Sequence, residues 1–173
     1  FDPTYAQRAG GALAAFILLS SAIYLLNDIL DRDRDREHPE KRFRPIASGA
    51  LSVFIAAPAA VIFVAIALWL TFALDVRFGW TACIYVVQNL AYSLVLKHVV
   101  ILDVMIVAAG FLLRAIGVAF AIDVSISSWF ILCTMLLSLF LGFVKRRQEI
   151  VLLAEHAGQH RRILTEYEPK FLD

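Results

Sequence analysis

Five apolar stretches, each near the ~20 residues a helix needs to cross a hydrocarbon core of about 30 Å, constrain this chain more than any other feature. They run approximately over Ala9–Asn27, Val53–Leu74, Gly79–Leu96, Val99–Ile122 and Ser128–Val144. A hydrophobic share of 61% over 173 residues exceeds what a soluble core of that size consumes. Alternation with period two is absent, which argues against a membrane barrel. The chain therefore reads as all-α, a polytopic membrane helix bundle, with residues 1–173 forming a single membrane domain. It begins at Phe1 without Met and stops at Asp173 after a charged stretch, so a piece of a longer protein is expected, cut at both ends.

Charge matters here by position rather than by sum, since 16 Lys/Arg and 15 Asp/Glu leave a net charge of +1 and no footprint for nucleic acid. Arg32, Arg34, Arg36, Lys41, Arg42 and Arg44 follow the first stretch, Lys97 follows the third, and Lys145, Arg146 and Arg147 end the fifth. The alternate connections hold only Arg8 and Arg77, with neither Lys nor Arg around Asp123. Strict up-down threading puts the ten on one side and the two on the other, and the positive-inside rule makes the richer side cytoplasmic. The expected location is a bacterial inner membrane, with the chemistry on its cytoplasmic face. Trp69, Trp80 and Trp129 fall near stretch ends, as interfacial anchors do. Cys83 and Cys133 lack CxxC spacing and a nearby His, and read as small core residues.

The candidate chemistry gathers where the first stretch ends, in Tyr24-Leu-Leu-Asn27-Asp28-Ile-Leu-Asp31-Arg-Asp33-Arg-Asp35. Tyr24, Asn27, Asp28, Asp31 and Asp35 stand at i, i+3, i+4, i+7 and i+11, which places them on one stripe of a continuing helix. Carboxylates so aligned repel one another and call for a cation. Hard oxygen donors suit Mg²⁺, which takes few protein carboxylates and completes its shell with water and substrate phosphate. The plainer alternative is a solvated, mixed-charge helix end. Against it stands the continuation into a loop bearing Lys41, Arg42 and Arg44, because an acidic metal-binding stripe facing a fork of cations is what a diphosphate requires. Residues 28–52 are thus expected to form a cytoplasmic catalytic loop, with His38 shaping it rather than ligating metal. Within the fourth stretch, Asp103 and Arg114 must face protein or a wet cavity, since an ionised group facing lipid costs about 2.5 to 3.5 kcal/mol or more. Gln88 and Asn89 read as packing contacts. Gly10, Gly11, Gly110 and Gly117 read as sites of close helix approach.

Asn27-Asp28-x-x-Asp31-x-x-x-Asp35 followed by Arg44-Pro45 resembles the first aspartate-rich motif of the UbiA superfamily of intramembrane prenyltransferases. Tyr92-Ser93-x-x-Leu96-Lys97, Leu102-Asp103-Val104, Gly110-Phe-Leu-Leu-Arg114 and Lys145-Arg146-Arg147-x-Glu149 resemble its decaprenyl-phosphate phosphoribosyltransferase branch. The resemblance covers about residues 20 to 155. It implies a UbiA-like fold of nine helices, of which five are visible here and the first and the last three are missing.

It also implies a Mg²⁺-dependent transfer of 5-phosphoribose from phosphoribosyl diphosphate to a polyprenyl phosphate. Asn27, Asp31 and Asp35 would hold the metal; Tyr24, Asp28, Lys41, Arg42 and Arg44 would attend the diphosphate. Tyr92, Lys97, Asp103, Arg114, Lys145, Arg146 and Glu149 would line the rest of the substrate site. One departure bears on the donor: the second acidic motif of aromatic prenyltransferases is replaced by Lys145-Arg146-Arg147-Gln-Glu149, which favours a donor with an extra phosphate. The alternatives are prenyl transfer to an aromatic acceptor and, from another class, a membrane transporter. A homo-oligomer is compatible with the sequence.

Overall fold

The computed structural model describes residues 3–98 and 101–152, which form six α-helices and two short 3₁₀ turns, with no strand among them. Helix α1 (Pro3–Leu30) is followed closely by the short α2 (Arg32–Glu37), then by α3 (Val53–Leu74), α4 (Val76–Leu94), α5 (Leu102–Ala121) and α6 (Ser128–Leu152). Four of them are long and apolar enough to cross a membrane: α1, α3, α5 and residues Ser128–Gln148 of α6. The third expected span, Gly79–Leu96, is helical, but α4 carries Arg77, Gln88 and Asn89 in its 19 residues and falls short of the other four in apolar character. The fourth expected span, begun at Val99, is described as helix from Leu102.

Two compact units divide the chain, the first holding residues 1–89 and 113–126, the second 90–112 and 127–173. In the first unit α1 packs along α3 in antiparallel fashion, through Ala12, Ala15, Leu19 and Ile23 on one side and Ala56, Ala60 and Ala67 on the other, all buried. Alanines dominate this seam because lipid tails are as apolar as leucine. Close backbone approach, rather than expulsion from water, then holds membrane helices together. Phe16, Phe78 and Tyr85 fill the wider part of the core, with Phe16 edge-on to Tyr85 at 6.1 Å between centroids. Gly117 of α5 is needed there, since a Cβ would stand 3.0 Å from the Phe78 ring. Gly10 has open space where its Cβ would be and needs no such approach.

One end of this unit is fixed by polar contacts between the connections. Arg8 of α1 donates to the carbonyl of Leu74 at the end of α3, and Arg77 bridges Asp75 at 3.1 Å and Asp123 at 2.9 Å. The α3–α4 and α5–α6 connections therefore meet at one end, together with the start of α1, as up-down threading requires. Asp75 and Asp123 neutralise the single cation of the α3–α4 connection.

In the second unit Gly142 of α6 lies so close to α5 that a Cβ would come within 2.6 Å of Val104 Cγ1. Most of the α6 side chains are exposed, Trp129 and Phe140 among them, as a lipid-facing helix would be. Cys133 is exposed and Cys83 half-buried; both are free, and neither is the core residue expected. Trp69, Trp80 and Trp129 are likewise exposed.

Candidate active site

The acidic stripe survives a break in the helix. Asp31 leaves helical geometry at φ −97°, ψ 5°, yet its amide donates to Asn27 O and its carbonyl accepts from Asp35 N, both at 2.8 Å. These two i to i−4 bonds carry the register from α1 into α2, so Asn27, Asp28, Asp31 and Asp35 keep one face. Exposure then divides the charged run in two. Asp33 is 93% exposed and meets Arg36 only at 3.7 Å, and Arg34 meets Asp31 at 3.9 Å, surface pairs of little energetic weight. Asp35, by contrast, is buried. The mixed-charge helix end and the organised stripe are both present, on different faces of the same seven residues.

The loop from His38 to Ser52 is built to present its cations. His38 is buried, and its Nδ1 accepts the amides of Glu40 and Lys41, closing the start of the 3₁₀ turn Lys41–Phe43. Ile46 and Ala47 are buried, Arg36 Nε donates to Ala47 O at 3.0 Å, and Gly49 takes a left-handed φ of +86° to reverse the chain toward the Ser52 cap of α3. Arg44, held between these anchors, donates from a single nitrogen, Nη1, to Asp28 Oδ1 at 2.8 Å and Asp35 Oδ2 at 2.9 Å. Lys41 is half-buried; Arg42 is exposed with its guanidinium over the Phe43 ring; Tyr24 is exposed.

Expected site residues of the second unit pair differently. Asp103, in the first turn of α5, is fully buried and accepts from Arg146 Nε at 2.9 Å, the arginine itself being 7% exposed. Just before it, Ile101 holds a left-handed φ of +66°, a costly setting for a β-branched residue, while its carbonyl accepts the amides of Val104 and Met105. Tyr92 and Lys97 are half-buried at the end of α4 and in the 3₁₀ turn Leu96–His98, and Lys145 is exposed beside Arg146. Glu149 lies on α6, its side chain outside the described residues, as are Glu155, His156, Gly158 and His160. Arg114 belongs to the first unit, where its Nη2 donates to Tyr85 Oη at 2.8 Å with the guanidinium over the same ring. Asn89 donates to the carbonyl of Tyr85, a bond within its own helix.

The structure thus joins Asp28, Asp35 and Arg44, and separately Asp103 and Arg146. It also gives parts to residues that sequence reasoning passed over: Tyr85 against Arg114, and Arg36, Ile46 and Ala47 beneath the cationic loop. The i, i+4 spacing of Tyr85 and Asn89 was the one available sign. Among the described residues, no three His, Cys, Asp or Glu side chains converge as a ready-made metal cage. Asn27 and Asp31, one turn apart with Asp31 30% exposed, instead offer two hard oxygen donors, which fits Mg²⁺ shared with substrate phosphate and water.

The model of the UbiA prenyltransferase family matches residues 2–149. A decaprenyl-phosphate phosphoribosyltransferase from Mycolicibacterium smegmatis is 36% identical over 167 residues, covering 96% of this chain and 52% of the relative. Another from Corynebacterium glutamicum is 39% identical over 163 residues, covering 93% and 49%. The chain spans about half the length of the curated relatives it matches. A solved structure of a UbiA homolog from Archaeoglobus fulgidus, bound to DMAPP and Mg²⁺, superposes with a TM-score of 0.83 at 18% identity, over 96% of this chain and 60% of that one. At that identity the likeness speaks for the fold, an all-helical membrane bundle, and the sequence match speaks for descent. The chain belongs to the UbiA prenyltransferase family.

Proposed function

We propose that the protein carrying this chain transfers 5-phosphoribose from phosphoribosyl diphosphate to a polyprenyl phosphate, releasing diphosphate, at the cytoplasmic face of a bacterial inner membrane. The observation that carries this reading is the 36–39% identity, over nearly all of the chain, to two decaprenyl-phosphate phosphoribosyltransferases. The cationic end of α6 supports it, because Lys145 and Arg147, both exposed, suit a donor with an additional phosphate better than a prenyl diphosphate.

The acidic end of the first unit supplies the donor site. Two of its carboxylates, Asp28 and Asp35, share the Arg44 guanidinium, and Asp31 lies near Arg34. Mg²⁺ held through Asn27 and Asp31 would act as a Lewis acid on the departing diphosphate. Lys41, Arg42 and Arg44, on the 28–52 loop, orient the diphosphate oxygens, and Tyr24 adds a hydroxyl from the same helix face. Tyr92, Lys97 and Lys145 of the second unit are proposed for the remaining phosphate, and Arg114 for the acceptor. The attacking polyprenyl phosphate is already an anion, so no side chain need remove a proton; orientation and charge balance suffice.

The test uses membranes containing the full-length protein, labelled phosphoribosyl diphosphate and polyprenyl phosphate, with and without Mg²⁺. Label is expected in the extracted lipid only with Mg²⁺. No lipid label, together with prenylation of an aromatic acid when an isoprenoid diphosphate replaces the donor, would move the protein to the prenyl-transfer alternative.

A further inference from the structure

We infer that Asp28 and Asp35 are positioning residues that hold Arg44 against the donor diphosphate, leaving the divalent cation to Asn27 and Asp31. The inference rests on the donor being a diphosphate, as proposed above. Its starting point is that one nitrogen, Arg44 Nη1, serves both carboxylates, at 2.8 and 2.9 Å. Asp35 is 7% exposed beneath that contact, whereas a Mg²⁺ ligand must present an oxygen to an ion that sheds its waters reluctantly. Asp31, on the same stripe, is 30% exposed.

Arg44 itself is 42% exposed, and among the described residues no hydrogen bond uses its Nε or Nη2. Those two nitrogens form an edge of the planar fork, the geometry that meets two phosphate oxygens at once. The backbone beneath is fixed as well: the Arg44 amide donates to Lys41 O, and its carbonyl accepts from Ser48 N. Ile46 and Ala47 anchor the next turn. A guanidinium pinned from the loop side and the helix side loses little freedom when it meets its anion, so binding keeps more of the contact energy. Asp28 and Asp35, seven residues apart on one face, are in turn relieved of mutual repulsion by the cation between them.

The full-length protein, purified in detergent, separates these roles by thermal shift. Inorganic diphosphate is titrated at saturating Mg²⁺, and Mg²⁺ at saturating diphosphate. Asp35→Asn is expected to raise the half-saturating diphosphate about tenfold or more while changing the Mg²⁺ requirement less than about threefold. Arg44→Gln should do the same, and the double variant should bind diphosphate no more weakly than Arg44→Gln alone. Asp31→Asn should raise the Mg²⁺ requirement instead. An Asp35→Asn variant that raises the Mg²⁺ requirement as Asp31→Asn does, or a double variant whose losses simply add, would overturn the inference and leave the donor reading standing. Where Asp35→Asn does not fold, Arg44→Lys carries the same test, since it keeps the charge and removes the fork; unchanged diphosphate affinity there would overturn it. Wild-type protein that binds no diphosphate at any Mg²⁺ concentration would remove the donor reading and this inference together.

Discussion

Arg44 and Arg146 each reach an aspartate at 2.9 Å, and the two pairings serve opposite ends because their surroundings differ. Asp103 is fully buried and Arg146 almost so. Both are almost wholly out of water, and their pairing helps make the two charges tolerable there. Arg44 is 42% exposed and shares its charge between two carboxylates. A buried pair suits a scaffold, whereas a half-exposed cluster suits the donor site proposed for it. The same chemical contact can be scaffold or site, and burial decides which.

Breaking the buried pair should have the largest effect. Arg146→Met removes a guanidinium that pairs with the buried Asp103 carboxylate and is expected to cost about 3–5 kcal/mol, while the double variant Asp103→Leu/Arg146→Met recovers most of it. Melting in detergent followed by circular dichroism measures both, and an unchanged Tm for the single variant would dissolve the contrast. Asp31→Asn comes next and acts on the other side of it. Turnover should fall about 10²–10³-fold with Tm unaltered, because the proposed role of this partly exposed residue is to hold the metal. A near-normal rate would remove Asp31 from the metal site.

The packing around the buried pair can be probed more gently. Gly142→Ala places a methyl against Val104 and should cost about 1–3 kcal/mol, relieved by adding Val104→Ala. Equal stability of Gly142→Ala and wild type would mean that α5 and α6 are less tightly joined than the 2.6 Å approach implies.

The smallest effect lies at the far end of the first unit. The hydrogen bonds from Arg77 hold the Asp75 carboxyl below its usual range. A lowered folded-state value stabilises the fold above the unfolded carboxylate pKa, and that contribution fades as pH falls through the folded value. Wild type should therefore lose at most about one degree of Tm more than Asp75→Asn on acidification below about pH 4, since the pair is exposed and screened. A larger difference would give this surface network a weight closer to that of the buried pair.

Legibility in the sequence followed the range of the interaction. The apolar stretches and the i, i+3, i+4, i+7, i+11 stripe depend on helical period alone, so Tyr24, Asn27, Asp28, Asp31 and Asp35 could be placed on one face before any fold was known. The α4 helix was legible as a helix, but Arg77, Gln88 and Asn89 dilute it below the apolar character of the other long helices. What could not be read was which charges meet. Arg44 lies 16 residues from Asp28, Arg146 lies 43 from Asp103, and Arg114 lies 29 from the tyrosine it contacts. No periodicity links such positions.

The sequence by itself determined that this chain is a bundle of membrane helices with an acidic, hard-oxygen stripe feeding a cationic loop. It could do so because hydrophobic length and helical register are properties of neighbouring residues. Tertiary structure alone decided the division of labour among the charges. It put Asp103 and Arg146 out of reach of water, gave Asp35 to Arg44, and set Arg114 against Tyr85. Partner choice for a charge depends on burial and on contacts between distant segments, and both exist only once the helices have packed.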